Sequence, residues 1–167
     1  GNVIGGGDWS PNRIVTDCVN SWSKNKKALI RNPKSTRPWQ HVLDVVNGYT
    51  QLAIKLNQDS KLNGEAFNFG PDKTKAKVID LLNRMKLYWP KINWKIKKQN
   101  KFRENNLLHL NSMKSKKYLK WSTVLNFDNS IKFTVDWYKN YLKNKKNVYK
   151  YSLSQIFEYK KILEKSK

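Results

Sequence analysis

Short apolar runs alternate with longer amphipathic segments along this sequence, and no other feature constrains its fold as strongly. Strand-like runs are predicted at "NVIG", "ALIRNP", "EAFNFGP", "INWKIKK" and "LLHLN". Between them, apolar residues recur at helical intervals in "NRIVTDCVNSWSKNK", "QHVLDVVNGYTQLAIKLNQ" and "KVIDLLNRMKLYW". Because alternating strands and helices pack as layers of helix on sheet, the pattern favours an α/β fold over an all-α fold.

The last third of the sequence is predicted to be mainly helical. Helices are predicted at "SMKSKKYLKW", "DNSIKFTVDWYKNYLKN" and "SLSQIFEYKKILEK". Asp128 is a suitable N-cap for the second of these helices, and Ser152 is predicted to begin the third. The Lys- and Asn-rich stretch 143–150 between them is predicted to be a flexible joint.

The composition indicates a folded domain. The chain has 167 residues, of which 38% are apolar, and it is rich in Trp, Tyr and Phe. Its single cysteine, Cys18, excludes an internal disulfide and a cysteine-cluster metal site. Apolar runs all fall well short of the roughly 18 residues that span a bilayer, and the start does not resemble a signal peptide. We therefore expect a cytoplasmic protein that does not bind membranes.

The formal net charge of +22 raises the possibility of a nucleic-acid partner. Residues 1–70 contribute +4 of this charge and residues 71–167 contribute +18. However, only five of the 34 basic residues are Arg, the residue preferred for bidentate contacts to phosphates and bases. Asn is frequent together with Lys, which is typical of a coding bias toward AT-rich codons. The composition therefore disfavours nucleic-acid binding.

The opening stretch "GNVIGGGDWSPNRIV" is rich in glycine but does not fit the dinucleotide fingerprint. Gly5 and Gly7 fit the first two glycine positions, whereas the third falls on Ser10, and the acidic residue expected about 20 positions later is missing. The glycines can serve a tight turn, where they supply positive φ. They can also allow a ligand to approach the backbone at the carboxyl end of a strand, which we consider the better interpretation.

Other candidate catalytic and metal-binding patterns are weak. Tyr141 and Lys145 match Tyr-x-x-x-Lys, but about one such match is expected by chance in so Lys-rich a chain, and we reject it. His41 and His109 do not have a metal-ligand spacing. His41 is predicted to pack or cap at the start of its helix, and His109 to face solvent from a strand. The sequence predicts no metal site.

The stretch "RNPKSTRPWQHVLD" has the richest chemistry in the chain. Arg31 and Arg37 flank a turn that contains proline, and Trp39 precedes a helix. Guanidinium groups bind diphosphates well because each presents a fork of N–H donors. A surface loop with Trp39 packed in the core explains the stretch equally well, so both interpretations stay open here.

Taken together, these stretches resemble the CDP-glucose 4,6-dehydratase family of the extended short-chain dehydrogenase/reductase superfamily. The matching motifs run in order: "GNVIGGGDW", "NRIVTD", "IRNPKSTRPWQHVLD", "GYTQLA", "FNFGP", "LHLNSMKSKKYLKW" and "WYKNYL". The resemblance implies a lyase that converts CDP-glucose to CDP-4-keto-6-deoxyglucose through transient hydride transfer to tightly bound NAD. Such a product is a precursor of deoxy sugars in surface polysaccharides such as the lipopolysaccharide O-antigen.

The resemblance also implies that the chain is a carboxyl-terminal fragment, mostly the smaller substrate-binding lobe of a Rossmann-type enzyme. The end of the Rossmann sheet is expected at residues 1–5, the substrate-binding part within 1–150 and a terminal helix at 151–167. The amino-terminal NAD-binding half, with the fingerprint and the catalytic Tyr and Lys, is expected to precede Gly1. We therefore expect no catalytic residue here, an inactive and poorly soluble isolated chain, and a homodimer at full length.

Site residues are implied by the same resemblance. The partners that the resemblance implies for this chain are a CDP-sugar substrate, the amino-terminal half of the same enzyme and the cofactor NAD. Asn2 is expected to bind the sugar-nucleotide, the Val3 backbone to lie near the nicotinamide, and Arg13 and Arg37 to hold the diphosphate. The other expected substrate-binding residues are Ile30 and Arg31 at the base, Asn68 near the phosphates, and Glu104. The contacts of the Glu104 loop are in doubt, because "KFREN" departs from the His-rich family pattern, and Lys101 and Arg103 are possible substitutes.

Two alternatives stay open on the sequence. Another NAD-dependent epimerase, dehydratase or reductase of this superfamily would share the same architecture. A basic nucleic-acid-binding module would belong to a different class and would bind DNA with a steep salt dependence.

Overall fold

The structure, a computed structural model, describes residues 2–71, 76–97, 108 and 110–166. The secondary structure consists of short strands and longer helices in mixed order. The elements are β1 Asn2–Ile4, α1 Ile14–Trp22, β2 Ala28–Ile30, β3 Trp39–His41, α2 Val42–Gln58, α3 Val78–Tyr88, β4 Trp94–Ile96, α4 Met113–Leu119, α5 Phe127–Lys143 and α6 Val148–Lys165. Single 3₁₀ turns occur at Ser60–Leu62 and Lys145–Asn147. The α/β class predicted from the sequence is confirmed.

The strands pair in parallel, as expected where helices connect them. β1 pairs with β3, with Asn2 opposite Trp39. β2 pairs with β4, with Ala28 opposite Trp94. Helix α1 follows β1 and packs against β2, which brings the carboxyl ends of β1 and β2 to the same region of the molecule.

Helix α5 organises the main hydrophobic core. Its buried residues Ile131, Val135 and Tyr138 recur at intervals of four and three, which places them on one face of the helix. This face packs against α3, β1 and β3, and the cluster also includes Trp22 of α1 and Leu81 of α3. Burial of each large apolar side chain stabilises the fold by about 1.5–3 kcal/mol. The core therefore fixes α5 beneath the strand β1 and the loop that follows it.

A buried carboxylate connects the helices at the other end of the molecule. Asp44 of α2 accepts hydrogen bonds from the backbone N–H of Val124 (2.9 Å) and Leu125 (3.3 Å) and from the Tyr159 hydroxyl (3.0 Å). Its own backbone carbonyl accepts from Trp121 Nε1 at 3.0 Å. Burial raises the pKa of Asp44, and these hydrogen bonds act in the opposite direction. One residue thus joins α2, the segment before α5, and α6.

The segment "EAFNFGP", predicted as a strand, is irregular in the structure. Side chains, rather than a neighbouring strand, bind its backbone. Gln40 Nε2 donates to the Phe69 carbonyl (2.8 Å) and Ser115 Oγ to the Asn68 carbonyl (2.5 Å). The carbonyls of Asn68 and Phe69 therefore have hydrogen-bond partners without a neighbouring strand. The strand predicted at "LLHLN" is absent at its described residues 108, 110 and 111, and the rest of it lies outside the described residues.

Several predicted boundaries differ from the structure. Residues 39–41 form the buried strand β3, so α2 begins at Val42 rather than within "QHV". Asn126, not Asp128, caps α5, since its side chain accepts from the backbone N–H of Asn129 at 2.8 Å. Helix α6 begins at Val148 instead of Ser152, and the predicted flexible joint 143–150 contains mostly helical and 3₁₀ residues.

The helices that the structure describes include none with the length and apolar character needed to cross a membrane.

Candidate functional site

A cleft of about 670 Å³ opens where the carboxyl ends of β1 and β2 meet the start of α1. Its lining comes from β1, the loop after β1, the first turns of α1, the end of β2 and the turn before β3. The side chains and backbone that line it include Asn2, Val3, Gly5, Asp8, Asn12, Arg13, Ile14, Val15, Thr16, Asp17, Ile30, Arg31, Arg37, Trp39 and Tyr138. Ligands of open α/β sheets bind in this kind of position, beyond the carboxyl ends of parallel strands.

Six of the eight residues expected from the sequence to bind substrate or cofactor line this cleft: Asn2, Val3, Arg13, Ile30, Arg31 and Arg37. They come from three separate stretches of the chain. The fold therefore brings together the stretches that begin with "GNVIGG" and "IRNP", which the sequence alone did not place next to each other.

The local backbone explains the position of Arg13. Asn12 has the left-handed φ of 64°, and its N–H donates to Asp17 Oδ1 at 3.2 Å. Arg13 follows in an extended conformation as the N-cap of α1, without a side-chain cap hydrogen bond. The first helical residues, Ile14 to Thr16, also line the cleft. Because a helix N-terminus carries partial positive charge and free N–H groups, this end of α1 favours an anionic ligand.

Cationic groups outnumber acidic ones in the cleft lining: Arg13, Arg31 and Arg37 face Asp8 and Asp17. Arg13 Nε lies 3.6 Å from Asp8 Oδ2, and both side chains are partly exposed, at 62% and 38%. Arg37 is half-buried, and its Nη1 donates to the Thr36 carbonyl at 2.9 Å. Since guanidinium groups keep their charge at any physiological pH, the cleft carries a net positive charge.

The glycine loop is shaped mainly by packing and by its turn. A Cβ atom on Gly6 would lie 2.0 Å from Trp137 Cγ of α5, so no side chain fits there. Gly7 has a φ of +84°, which other residues adopt at a cost. Among the three glycines of the triplet, Gly5 lines the cleft. Packing also acts at Gly5, because a Cβ there would lie 2.6 Å from Val42 Cγ1. The interpretation of the triplet as a thin ligand floor therefore stays a prediction, with Gly5 as the glycine of the triplet in the cleft lining.

Tyr138 is a cleft residue that the sequence did not reveal. Its hydroxyl donates to the backbone carbonyl of Asp8 at 2.6 Å. Burial raises the pKa of Tyr138 to about 12, so the hydroxyl stays protonated and donates at neutral pH. Because Tyr138 and Asp8 are 130 positions apart and Tyr138 has helical apolar spacing, its sequence pattern indicates only a core residue.

The structure does not bring Asn68 to the cleft, and the other expected site residue, Glu104, is not among the residues it describes. Asn68 is exposed outside the cleft lining, and its Nδ2 donates to the Asn111 carbonyl at 3.3 Å. Glu104 lies outside the described residues, as do its possible substitutes Lys101 and Arg103.

His41 has a structural role. It is buried, and its Nδ1 accepts from the backbone N–H of Leu43 at 3.3 Å, as predicted for a helix cap. Burial lowers its pKa to about 4, so the imidazole is neutral. His109 lies outside the described residues.

Tyr141 and Lys145 form an aromatic contact away from the cleft lining. The Tyr141 ring stacks on Trp137 at 5.4 Å, and the Lys145 ammonium lies 5.5 Å from the Tyr141 ring centre. This geometry agrees with the rejection of the pair as a catalytic motif. The part of the chain that the structure describes holds no group of three or more His, Cys, Asp or Glu side chains placed to bind a metal ion.

Comparison with known proteins gives one similar sequence and many similar folds. The chain is 34% identical over 145 residues to CDP-glucose 4,6-dehydratase from Salmonella typhimurium, an alignment that covers 86% of this chain and 40% of that enzyme. The chain thus spans less than half the length of this curated relative. A search against protein-family models found no match.

Two solved structures illustrate the likeness of fold. UDP-glucuronic acid 4-epimerase from Bacillus cereus, in complex with UDP-glucuronic acid and NAD, matches with a TM-score of 0.70 at 16% identity. That match covers 83% of this chain and 43% of the epimerase. dTDP-glucose 4,6-dehydratase from Bacillus anthracis, in complex with NAD, matches with a TM-score of 0.64 at 18% identity, over 83% of this chain and 42% of that one. The chain therefore shares its fold with a part of each of these two enzymes. The sequence resemblance to CDP-glucose 4,6-dehydratase is confirmed.

Proposed function

We propose that this chain is the nucleotide-sugar-binding part of a CDP-glucose 4,6-dehydratase, a lyase that forms CDP-4-keto-6-deoxyglucose. The observation that carries the proposal is the shared cleft. Residues expected to bind a CDP-sugar, from stretches as distant as Asn2 and Arg37, line it together. The sequence likeness to a CDP-glucose 4,6-dehydratase supports the same substrate.

The diphosphate is proposed to lie between Arg13, Arg37 and the N-terminus of α1. These groups line the same cleft and supply positive charge and N–H donors, which suit two adjacent phosphates. Ile30 and Arg31, at the carboxyl end of β2, are proposed to flank the cytosine base. Asn2, in β1, is proposed to hydrogen-bond the sugar-nucleotide.

The cofactor is proposed to be NAD, which supplies the hydride acceptor and donor for the reaction when it is bound. The described residues fit only the edge of such a site. Val3 is 38% exposed and lines the cleft, so this residue of β1 is accessible to a ligand there. The phosphate-binding fingerprint is not found in "GNVIGGGDWS". We therefore propose that this chain contributes the nicotinamide edge, and that an amino-terminal half holds the rest of NAD and the catalytic Tyr and Lys.

The remaining parts of the proposal concern the whole protein. It would act in the cytoplasm as a homodimer and provide a deoxy-sugar precursor for surface polysaccharide. In this arrangement the described residues bind and orient the substrate, and the proton and hydride transfers belong to the other half.

Binding of CDP-glucose to the full-length protein tests the site. Replacement of Arg37 with Ala removes a charged donor to the diphosphate, and we expect affinity to fall by about tenfold or more, measured by calorimetry. Arg84→Ala is the matched control. Arg84 lies on α3 outside the cleft lining, where its Nε is 3.2 Å from Oδ1 of Asp128 on α5. Equal affinity of Arg37→Ala and the unsubstituted protein would remove Arg37 from the diphosphate site.

Epimerisation is the second candidate reaction, because the chain has a fold similar to that of UDP-glucuronic acid 4-epimerase. The mass of the product distinguishes it from the proposed dehydration. Full-length protein incubated with CDP-glucose is expected to yield a product lighter by one water molecule. A product of unchanged mass would identify an epimerase instead.

A further inference from the structure

Asp8 is an acidic residue in a cleft whose other charged groups are mostly cationic. Its Oδ2 lies 3.6 Å from Arg13 Nε, and it is the arginine's closest described acidic partner. The second acidic residue of the lining, Asp17, is engaged elsewhere, because its Oδ1 accepts from the Asn12 N–H. A phosphate that reaches Arg13 must therefore approach the Asp8 carboxylate as well.

Asp8 is held in place by bonds to both its backbone and its side chain. Its carbonyl accepts from the Tyr138 hydroxyl (2.6 Å) and from Thr16 Oγ1 (3.2 Å). Its Oδ1 accepts from the Ser10 N–H at 2.9 Å. Tyr138 is itself fully buried in the core. Residues of α5 and α1 both hold the Asp8 backbone in place. A small shift of the loop therefore does not move the carboxylate away from an anion bound at Arg13.

Fixed negative charge beside a phosphate site penalises a ligand more strongly as the ligand's own charge rises. A free nucleoside diphosphate ends in a phosphomonoester, which ionises a second time near pH 6. A nucleoside diphosphate sugar has this terminal phosphate esterified, and it therefore carries about one negative charge less at neutral pH.

From this geometry we propose that Asp8 is a specificity-determining residue, which selects the sugar-esterified nucleotide over the free nucleoside diphosphate by charge repulsion. The proposal rests on the proposed function, because it assumes that the diphosphate lies at Arg13. It assigns Asp8 a role in ligand discrimination, without a role in the chemical step.

The test compares the binding of CDP and of CDP-glucose to the full-length protein by calorimetry at pH 7.5 and low salt. Asp8→Asn keeps the acceptor for the Ser10 N–H and removes the charge. We expect it to strengthen CDP binding by about fivefold and CDP-glucose binding by less than about twofold, as for a partly exposed charge. Asp8→Glu is expected to preserve the discrimination, and the gain for CDP is expected to shrink as salt is raised.

Glu164→Gln is the matched control for net charge, because Glu164 lies on α6 and pairs with Lys160 at 3.9 Å. It is expected to leave both affinities unchanged. Equal changes in the two affinities for Asp8→Asn, no change, or weaker binding of both ligands would overturn the assignment of Asp8 while leaving the site intact. If the unsubstituted protein bound neither ligand, the proposed function would fail, and the role of Asp8 with it.

Discussion

Asp8 in the cleft and Asp44 in the first turn of α2 carry the same functional group in opposite settings. Asp44 is fully buried and accepts hydrogen bonds from two backbone N–H groups and from the Tyr159 hydroxyl. The Asp8 side chain is 38% exposed and lies 3.6 Å from an arginine that is 62% exposed. A buried polar group costs free energy whenever a partner is lost, whereas an exposed ion pair contributes little. The helical end is thus built for stability, and the cleft keeps charges that a ligand can engage.

The largest expected effect is on stability, from loss of the Asp44 carboxylate. Asp44→Ala leaves the N–H groups of Val124 and Leu125 and the Tyr159 hydroxyl without their acceptor. We expect the free energy of unfolding in urea to fall by about 3 kcal/mol or more. Asp8→Asn is the contrasting variant, with an expected change within about 0.5 kcal/mol. Similar losses for the two variants would contradict the division between the two regions.

The lowered pKa of His41, at the boundary between β3 and α2, leads us to expect that the free energy of unfolding depends on pH. Burial lowers its pKa from 6.5 to about 4, so below pH 6.5 the unfolded chain takes up a proton that the folded chain resists. Stability is therefore expected to fall as the pH drops from 6.5 toward 4, by about 1.4 kcal/mol per pH unit and about 3 kcal/mol in total. The raised pKa of Asp44 acts in the opposite direction, because it makes the folded chain bind a proton more readily.

His41→Asn isolates the contribution of the imidazole. Asn keeps a side-chain acceptor at the N-cap of α2 and does not titrate in this range. Urea unfolding between pH 4 and pH 7 is expected to show a shallower loss of stability for this variant than for the unsubstituted protein. Parallel curves for the two proteins would show that His41 is not the titrating group.

How far the sequence predicts the structure differs between elements. Helix α3 was predicted well, because its apolar spacing is regular and Pro90 follows its end. Strand β3 was missed, since Trp39, Gln40 and His41 are all buried and show no alternation of apolar and polar residues. "FNFGP" has the composition of a strand, but Gln40 and Ser115, which are remote in sequence, donate hydrogen bonds to the carbonyls of Phe69 and Asn68 in place of a neighbouring strand.

The site shows the same limit. The resemblance of short motifs led to Asn2, Arg13 and Arg37, which the structure brings to one cleft. Tyr138 and the Asp8–Arg13 pair were not found, because a hydrogen bond across 130 positions and a loop conformation leave no local pattern. Short motifs therefore led to residues that line the cleft, whereas the contacts that hold them in place arise from packing.

A smaller loss of stability than that of Asp44→Ala is expected from Gly6→Ala, which tests whether packing against α5 holds the cleft loop. A Cβ on Gly6 would lie 2.0 Å from Trp137 Cγ, and Gly6 does not have a positive φ. Gly6→Ala is therefore expected to destabilise the protein by about 2 kcal/mol through steric overlap rather than backbone strain. Trp137→Ala in the same chain removes Cγ and Cδ2, the two closest atoms at 2.0 and 2.1 Å, and leaves Cβ at 2.7 Å. The alanine at position 6 is therefore expected to cost less in that background, as measured by a double-mutant cycle of urea unfolding. If the two substitutions were additive, contact with Trp137 would not be what excludes a side chain at position 6, and the loop would owe its shape to its turn alone.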